Sequence, residues 1–367
     1  MLNWRDLGHP EAGGAEKYLV EVAKGLAARG HDVTFRTAAY PGSLVTESDD
    51  WVRYVRKGGH YSIYPRALAS QFVGRLRGDV VIDVQNGVPF LSPVARIGAP
   101  VINLVHHVHR EQWPVAFPPR LAAVGWQLES RLAPRIYRRC PYVAVSPTTK
   151  NELIELGVDS QQITVIPNGT DARPMASVAR ATHPLVVVLG RLVPHKRVEI
   201  AIRAVHRLRP RYPDIELRIV GSGYWDRELR QLVSSLDLDG SVTFTGHVSE
   251  GEKHRQLAEA WVHALPSIKE GWGLVVVEAG VQETPSLAFR DAGGTKDSIR
   301  DGQTGLLVPA GQEAFTNALD RLLSDRELRE RLGHGARTWS MGFRWEDSIA
   351  AWEDLISVTV KRSAEDD

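Results

Sequence analysis

Between positions 270 and 278 the chain reads Glu-Gly-Trp-Gly-Leu-Val-Val-Val-Glu. Gly271 and Gly273 let a backbone approach a ligand closely, and the free amides where a helix opens suit phosphate or hydroxyl oxygens. Glu270 and Glu278 are eight residues apart, roughly two helical turns. The spacing therefore predicts that both carboxylates face one side, where they accept hydrogen bonds from sugar or ribose hydroxyls. The plainer alternative is one glutamate favoured by the helix dipole and one that is simply solvated.

A second constellation is Gly190-Arg191-Leu-Val-Pro-His-Lys196, placed directly after an apolar run. Arginine offers a bidentate fork and lysine a point charge, so the two converge well on a diphosphate. Gly13-Gly14-Ala-Glu16 opens the first long helical pattern, and paired glycines before a helix make an anion-ready turn. Val105-His106-His107-Val-His109 closes another apolar run, where a histidine could touch a sugar or exchange protons near neutral pH. The spacing of these histidines is not a recognised zinc pattern, so no metal is expected. Two other motifs are set aside. Gly221-Ser-Gly223 begins like a dinucleotide fingerprint but has no third glycine, which argues against NAD. Asp237-Leu-Asp239 precedes Gly240 and reads as a helix-ending turn.

These motifs sit between short, mostly apolar runs of about five residues. Strands are expected at 32–37, 80–84, 101–105, 142–146 and 163–167, then at 185–189, 216–220, 242–245, 262–265, 286–289 and 305–308. Runs apolar on both faces are how buried parallel strands read. Helical patterns alternate with them: Leu19, Val22, Ala23 and Leu26 form one stripe, Val198, Ala201, Ile202 and Val205 another. The alternation predicts an α/β fold with parallel sheets. A polar stretch with two prolines, 170–183, is the expected linker. The domains are then 1–170 and 171–345, with a last helix at about 346–362 crossing back to the first. Ligands of such folds bind at strand carboxyl ends, and with two domains the expected site is the cleft between them.

With 367 residues the chain is long enough for two cores. A net charge of +1 gives no reason to expect a nucleic-acid partner, and a single cysteine, Cys140, excludes an internal disulfide and suits a reducing compartment. The N-terminus lacks the apolar run of a signal peptide, and no segment approaches the roughly 20 apolar residues of a membrane span. A cytoplasmic protein is expected. The stretches 61–77 and 131–139 mix basic and apolar residues and fit either an anionic membrane surface or ordinary surface helices. The acidic tail 363–367 is expected to fray. Oligomeric state leaves no sequence signal.

Taken together, the order and spacing of these motifs resemble the retaining glycosyltransferases of family GT4. The markers are Gly13-Gly14-Ala-Glu16, His106 after a strand, Ser146-Pro, Ile166-Pro-Asn168-Gly169, Gly190-Arg191 with Lys196, Val220-Gly221-Ser-Gly223, Gly246-His-Val248 and the Glu270/Glu278 pair. The resemblance covers nearly the whole chain and implies the GT-B fold of two facing Rossmann-like domains, acceptor-binding first and donor-binding second. It implies a hexosyl transfer from a nucleotide sugar, UDP first and GDP next, to a hydroxyl acceptor that is a glycan, a lipid-linked group or a small aglycone. No metal or other cofactor is implied. By this resemblance Arg191 and Lys196, beside Gly190, hold the donor diphosphate, and Gly13 and Gly14 close over it. Glu278 takes the ribose hydroxyls. Glu270 takes the transferred sugar, helped by the backbone of Gly271, Trp272, Gly273 and Leu274. Gly221 and Val248 lie by the nucleoside and His106 by the anomeric carbon. His107, His109, Trp113 and Asn168 fall on the acceptor side, and the Trp272 side chain is a candidate for sugar choice. Family members usually carry a full first strand; here only positions 1–4 remain, which leaves a sheet edge in question. A nucleotide-sugar epimerase of the same fold and a non-catalytic nucleotide-sugar-binding subunit are the competing readings.

Overall fold

The computed structural model describes residues 1–74, 78–95, 98–171, 173–175 and 177–366. Positions 75–77 of the basic stretch, 172 and 176 of the expected linker, and Asp367 of the tail lie outside the described residues. The chain divides into two compact units, Met1–Gly169 with Trp345–Asp367, and Thr170–Arg344.

The first unit contains β1 (Val33–Thr37), β2 (Thr46–Ser48), β3 (Val52–Arg56), β4 (Val81–Gln85), β5 (Val101–Val105), β6 (Tyr142–Ala144) and β7 (Ile163–Val165). They form the strips β2-β3-β1 and β4-β5-β6-β7, parallel except where β2 meets β3. Leu2 joins the strips. Its N–H donates to the Ile82 carbonyl at 2.8 Å and its carbonyl accepts from Val84 at 3.0 Å, while Asn3 N–H donates to the Arg36 carbonyl at 3.1 Å. The short N-terminal strand is therefore not a weakened edge. It lies in the middle of the sheet, and one residue bridged on both sides suffices to close the gap.

β2 and β3 were not expected. β2 is three exposed polar residues, and β3 hides its buried Val52, Tyr54 and Arg56 in an alternation with charge. Position 146 also leaves its expected strand: Ser146 instead caps helix Pro147–Glu155, its Oγ accepting from Thr149 N–H. Helix Gly14–Ala28 buries the expected stripe of Leu19, Val22, Ala23 and Leu26. The last helix, Trp345–Asp366, packs on it where Gly25 leaves room for Ile349, since a Cβ there would meet Ile349 Cδ1 at 2.1 Å. The buried Trp352 indole donates to Tyr18 Oη at 2.7 Å.

The second unit is a six-stranded parallel sheet of β8 (Leu185–Leu189), β9 (Glu216–Val220), β10 (Val242–Gly246), β11 (Val262–Leu265), β12 (Ser286–Phe289) and β13 (Gly305–Val308). The order is β10-β9-β8-β11-β12-β13. Helix Val198–Leu208 lays Ala201, Ile202 and Val205 on Val186, Leu217 and Ile219 in the main core. The expected linker does not run free: the Arg180 guanidinium donates to the carbonyls of Ala260 at 2.5 Å, Gln282 at 2.8 Å and Glu283 at 2.6 Å. These carbonyls follow the ends of helices Glu250–Glu259 and Leu274–Val281, where a cation is favoured by the helix dipole. Among the described residues no helix is long and apolar enough to cross a membrane.

Candidate active site

Because β8 to β11 run parallel, the loops that follow them leave the second unit's sheet at one edge. Those loops are tied backbone to backbone. Leu192 N–H donates to the Ser222 carbonyl at 2.9 Å, Gly221 N–H to Gly246 at 2.9 Å, and Ile268 N–H to His195 at 2.9 Å. The glycines of the Gly221-Ser-Gly223 motif make this approach possible. Gly221 has φ +128°, and a Cβ on it would stand 2.1 Å from the Gly190 carbonyl oxygen; one on Gly223 would stand 2.2 Å from that of Leu192. Their role is close packing of loops, which no side chain larger than hydrogen permits.

This edge carries the charged residues. Lys196 ends a short 3-10 turn, Pro194–Lys196, and its Nζ lies 2.6 Å from Glu270 Oε1, with side chains 18% and 12% exposed. Arg191 lies in the same loop, half-buried. Burial raises the Glu270 carboxyl, but the charge and hydrogen bond of Lys196, joined by the Ser267 hydroxyl and the charge of His195, together hold the group below its ordinary value. Glu270 is fixed through its backbone: its N–H donates to Ala292 at 3.0 Å and its carbonyl accepts from Gly294 at 2.9 Å. Gly294 passes so close to Gly271 that a Cβ would meet the Gly271 carbonyl oxygen at 1.9 Å. Gly293 and Gly294 were not singled out from the sequence, although a glycine pair just after an apolar run was the available signal.

Gly273, at φ +86°, caps helix Leu274–Val281. Glu270 therefore precedes the helix that holds Glu278, and helical spacing does not explain their relation. Each is instead met by a lysine, Glu278 by Lys253 Nζ at 2.7 Å. Leu274 is the helix's first residue, and Val248, in the loop after β10, packs partly buried on the cluster of Val187, Leu189, Val220 and Leu257. The Trp272 side chain does not present itself for sugar choice: it is buried, edge-on to Phe343 at 4.9 Å.

In the first unit, Gly13 caps helix Gly14–Ala28, but its N–H already donates to Glu16 Oε2 at 2.8 Å, and the buried Glu16 is paired with Arg5 at 3.0 Å. The helix thus carries an internal carboxylate at its N-terminus. His106 follows β5, buried and edge-on to Tyr18 at 5.4 Å. Burial pushes its imidazole down to about 4, so it is neutral at pH 7. Its Nε2 and the Asn168 Oδ1 are buried polar atoms with no partner among the described residues.

The other histidines are differently employed. Sequence distance concealed an acidic partner: Glu129, fully buried, accepts from the His109 N–H at 3.0 Å and from Trp113 Nε1 at 2.7 Å, and lies 2.9 Å from His109 Nδ1. His107 pairs with Gln112 at 3.1 Å. The Trp113 ring fills the space left by Gly87 and Gly125, where a Cβ would come within 2.8 Å and 2.4 Å of it. His109 and Trp113 thus belong to an internal network centred on Glu129, a residue that sequence spacing could not nominate. Among the described residues no group of three or more His, Cys, Asp or Glu is placed to hold a metal ion.

With these arrangements in view, the likenesses to known proteins are specific. Residues 12–173 match Glycosyltransferase Family 4 and residues 172–339 match Glycosyl transferases group 1. The chain is 30% identical to a GDP-mannose-dependent alpha-(1-6)-phosphatidylinositol monomannoside mannosyltransferase of Mycolicibacterium smegmatis, over 95% of this chain and 96% of that one. In fold it is similar to a sucrose-phosphate synthase from Thermosynechococcus elongatus, with TM-score 0.82 and 23% identity over 96% and 94% of the two chains. It is also similar to Anabaena Alr3699/HepE in complex with UDP and glucose, with TM-score 0.75 and 20% identity over 97% and 99%. Matched along nearly its whole length, with two units built on parallel sheets, the chain belongs to the GT4 family and is a glycosyltransferase of the GT-B fold.

Proposed function

We propose that this enzyme moves a hexosyl group from a nucleoside-diphosphate sugar to a hydroxyl acceptor, with retention at the anomeric carbon and without a metal. The Lys196–Glu270 pair carries the reading, because it sets a cation and a sugar-hydroxyl acceptor side by side at the carboxyl edge of a parallel sheet. Arg191 and Lys196 take the diphosphate and offset charge on the departing nucleotide. Glu270 orients the transferred sugar, Glu278 the ribose, and the backbone near Val248 and Gly221 the nucleoside. The acceptor oxygen bonds to the anomeric carbon as the bond to the β-phosphate oxygen breaks. The electron pair goes to the phosphate, and the acceptor proton follows to a phosphate oxygen. His106 lies by the anomeric carbon and Asn168 on the acceptor side; their buried Nε2 and Oδ1, with no partner among the described residues, support these roles.

The likeness to a GDP-mannose-dependent enzyme along the full chain supports GDP-mannose as the first donor to try, and the fold neighbour holding UDP supports a UDP-sugar as the second. Thermal shift with UDP-, GDP- and ADP-sugars, in the presence of a chelator, tests class and donor together. One base raises the melting temperature and Lys196→Ala abolishes the rise; no shift with any of them overturns the reading. Turnover to an epimer without acceptor would instead mark an epimerase.

A cytoplasmic enzyme working at the inner membrane face fits the first unit's surface. Between positions 112 and 139 the single acidic residue is the buried Glu129, while Arg120, Arg131, Arg135, Arg138 and Arg139 are exposed beside exposed Leu121 and Val124. Such a face suits anionic lipid. Sedimentation with phosphatidylglycerol vesicles but not with phosphatidylcholine vesicles is expected, and equal retention by both would sink the idea.

A further inference from the structure

The ribose-side carboxylate is not left to itself. Val248 leads through Ser249 into helix Glu250–Glu259, and from that helix's first turn Lys253 reaches Glu278 Oε1 at 2.7 Å and Glu250 Oε2 at 2.9 Å. The side chains of Lys253 and Glu278 are 12% and 3% exposed, that of Glu250 64%. An exposed Lys–Glu pair contributes little. A carboxylate as enclosed as Glu278 is different, because its charge must be met by a partner.

Nor does the helix need this lysine. Its N-terminus is already capped by Ser249, whose Oγ accepts from Glu252 N–H, and carries Glu250 and Glu252 in the first turn. A cation there works against the dipole. The feature that accounts for the position is Glu278 across the gap between two helices.

We propose that Lys253 is a positioning residue for the nucleotide sugar: its ammonium, 2.7 Å from Glu278 Oε1, holds that carboxylate in one orientation, so the ribose hydroxyls meet a preset acceptor. This rests on the ribose role proposed for Glu278. It adds a second lysine–glutamate couple to the donor edge, Lys253–Glu278 for the nucleoside beside Lys196–Glu270 for the sugar, and it makes donor affinity depend on a helix that touches neither phosphate nor hexose.

The test uses the full chain, the nucleoside diphosphate that raises its melting temperature, and the 2′,3′-dideoxy form of that nucleotide. Dissociation constants are measured by calorimetry for the wild type, Lys253→Met, Lys253→Arg and Glu278→Gln. Lys253→Met is expected to weaken the ribose form about 10-fold, as loss of a charge-assisted hydrogen bond would, and to leave the dideoxy form nearly unchanged. Lys253→Arg should recover much of the loss. In the Glu278→Gln background Lys253→Met should add little, because the carboxylate it positions is gone. Equal weakening of both nucleotides, or no weakening, overturns the role of Lys253 while leaving the donor reading intact. A wild type that binds neither nucleotide overturns both.

Discussion

Lys196 Nζ and Glu270 Oε1 stand 2.6 Å apart although 74 residues separate them in sequence, and the turn that carries the lysine is hydrogen-bonded by its His195 carbonyl to Ile268 N–H at 2.9 Å. The cation and the carboxylate are set by backbone contacts before any substrate arrives. Such preorganisation is what a site needs to stabilise charge that develops during reaction.

Removing either partner should therefore cost transfer more than folding. Lys196→Ala and Glu270→Gln are each expected to lower kcat/KM by about 100-fold or more, with circular dichroism unchanged. Steady-state kinetics with the donor found by thermal shift decides it, and a loss below about 3-fold in both variants would remove the pair from the donor site.

The same pair has a pH signature. The Glu270 carboxyl is held below its ordinary value by Lys196, so its contribution to stability is complete above the unfolded value and is lost as pH falls through the lower folded value. The melting-temperature gap between wild type and Glu270→Gln should be widest near pH 7 and close progressively below about pH 4. A gap that does not change with pH contradicts this.

His106 and His263 are both buried and held down to about 4 by burial. Each takes up its proton in the unfolded chain first, so stability falls as pH drops from about 6.5 toward 4. His106→Gln or His263→Gln should flatten that slope in urea titrations across this window. By NMR both imidazoles should remain neutral at pH 6, and a His106 titration near 6.5 would contradict the burial argument.

Gly221→Ala should be costly, because the new Cβ meets the Gly190 carbonyl oxygen at 2.1 Å and the backbone stays at φ +128°. About 2–4 kcal/mol of destabilisation is expected from strain and overlap together. Gly251→Ala is the control: nothing lies within 4 Å of its Cβ, and within a helix it should add about 0.5–1 kcal/mol. Urea unfolding of the two variants checks both signs.

Glu129→Leu removes the acceptor shared by the His109 N–H and the Trp113 indole. Leaving those donors in a dry interior should cost about 2–4 kcal/mol. Donor affinity should be unchanged, and a large loss of nucleotide binding with normal stability would assign Glu129 a direct role instead.

Much of this protein was legible in its sequence. Parallel strands that are apolar on both faces, and helices with one apolar stripe, write their periodicity into local composition, so eleven of the thirteen strands among the described residues were anticipated. The two that were not, β2 and β3, lie where burial is partial and charge interrupts the pattern. Glycines before helices and basic residues after strands likewise marked the loops that carry chemistry.

What the linear order could not supply is partnership. The helical spacing of Glu270 and Glu278 suggested a shared face, whereas the fold sets Glu270 ahead of the helix and gives each carboxylate its own lysine. No spacing rule pairs His109 with Glu129, twenty residues away, and the brief first strand is central because Leu2 is bridged on both sides. Local pattern is set by neighbours a few residues apart, so sequence reports which residues are buried and where loops open. Ion pairs, orphaned polar atoms and loop contacts are set by through-space distance, which only the packing of the strands and helices determines.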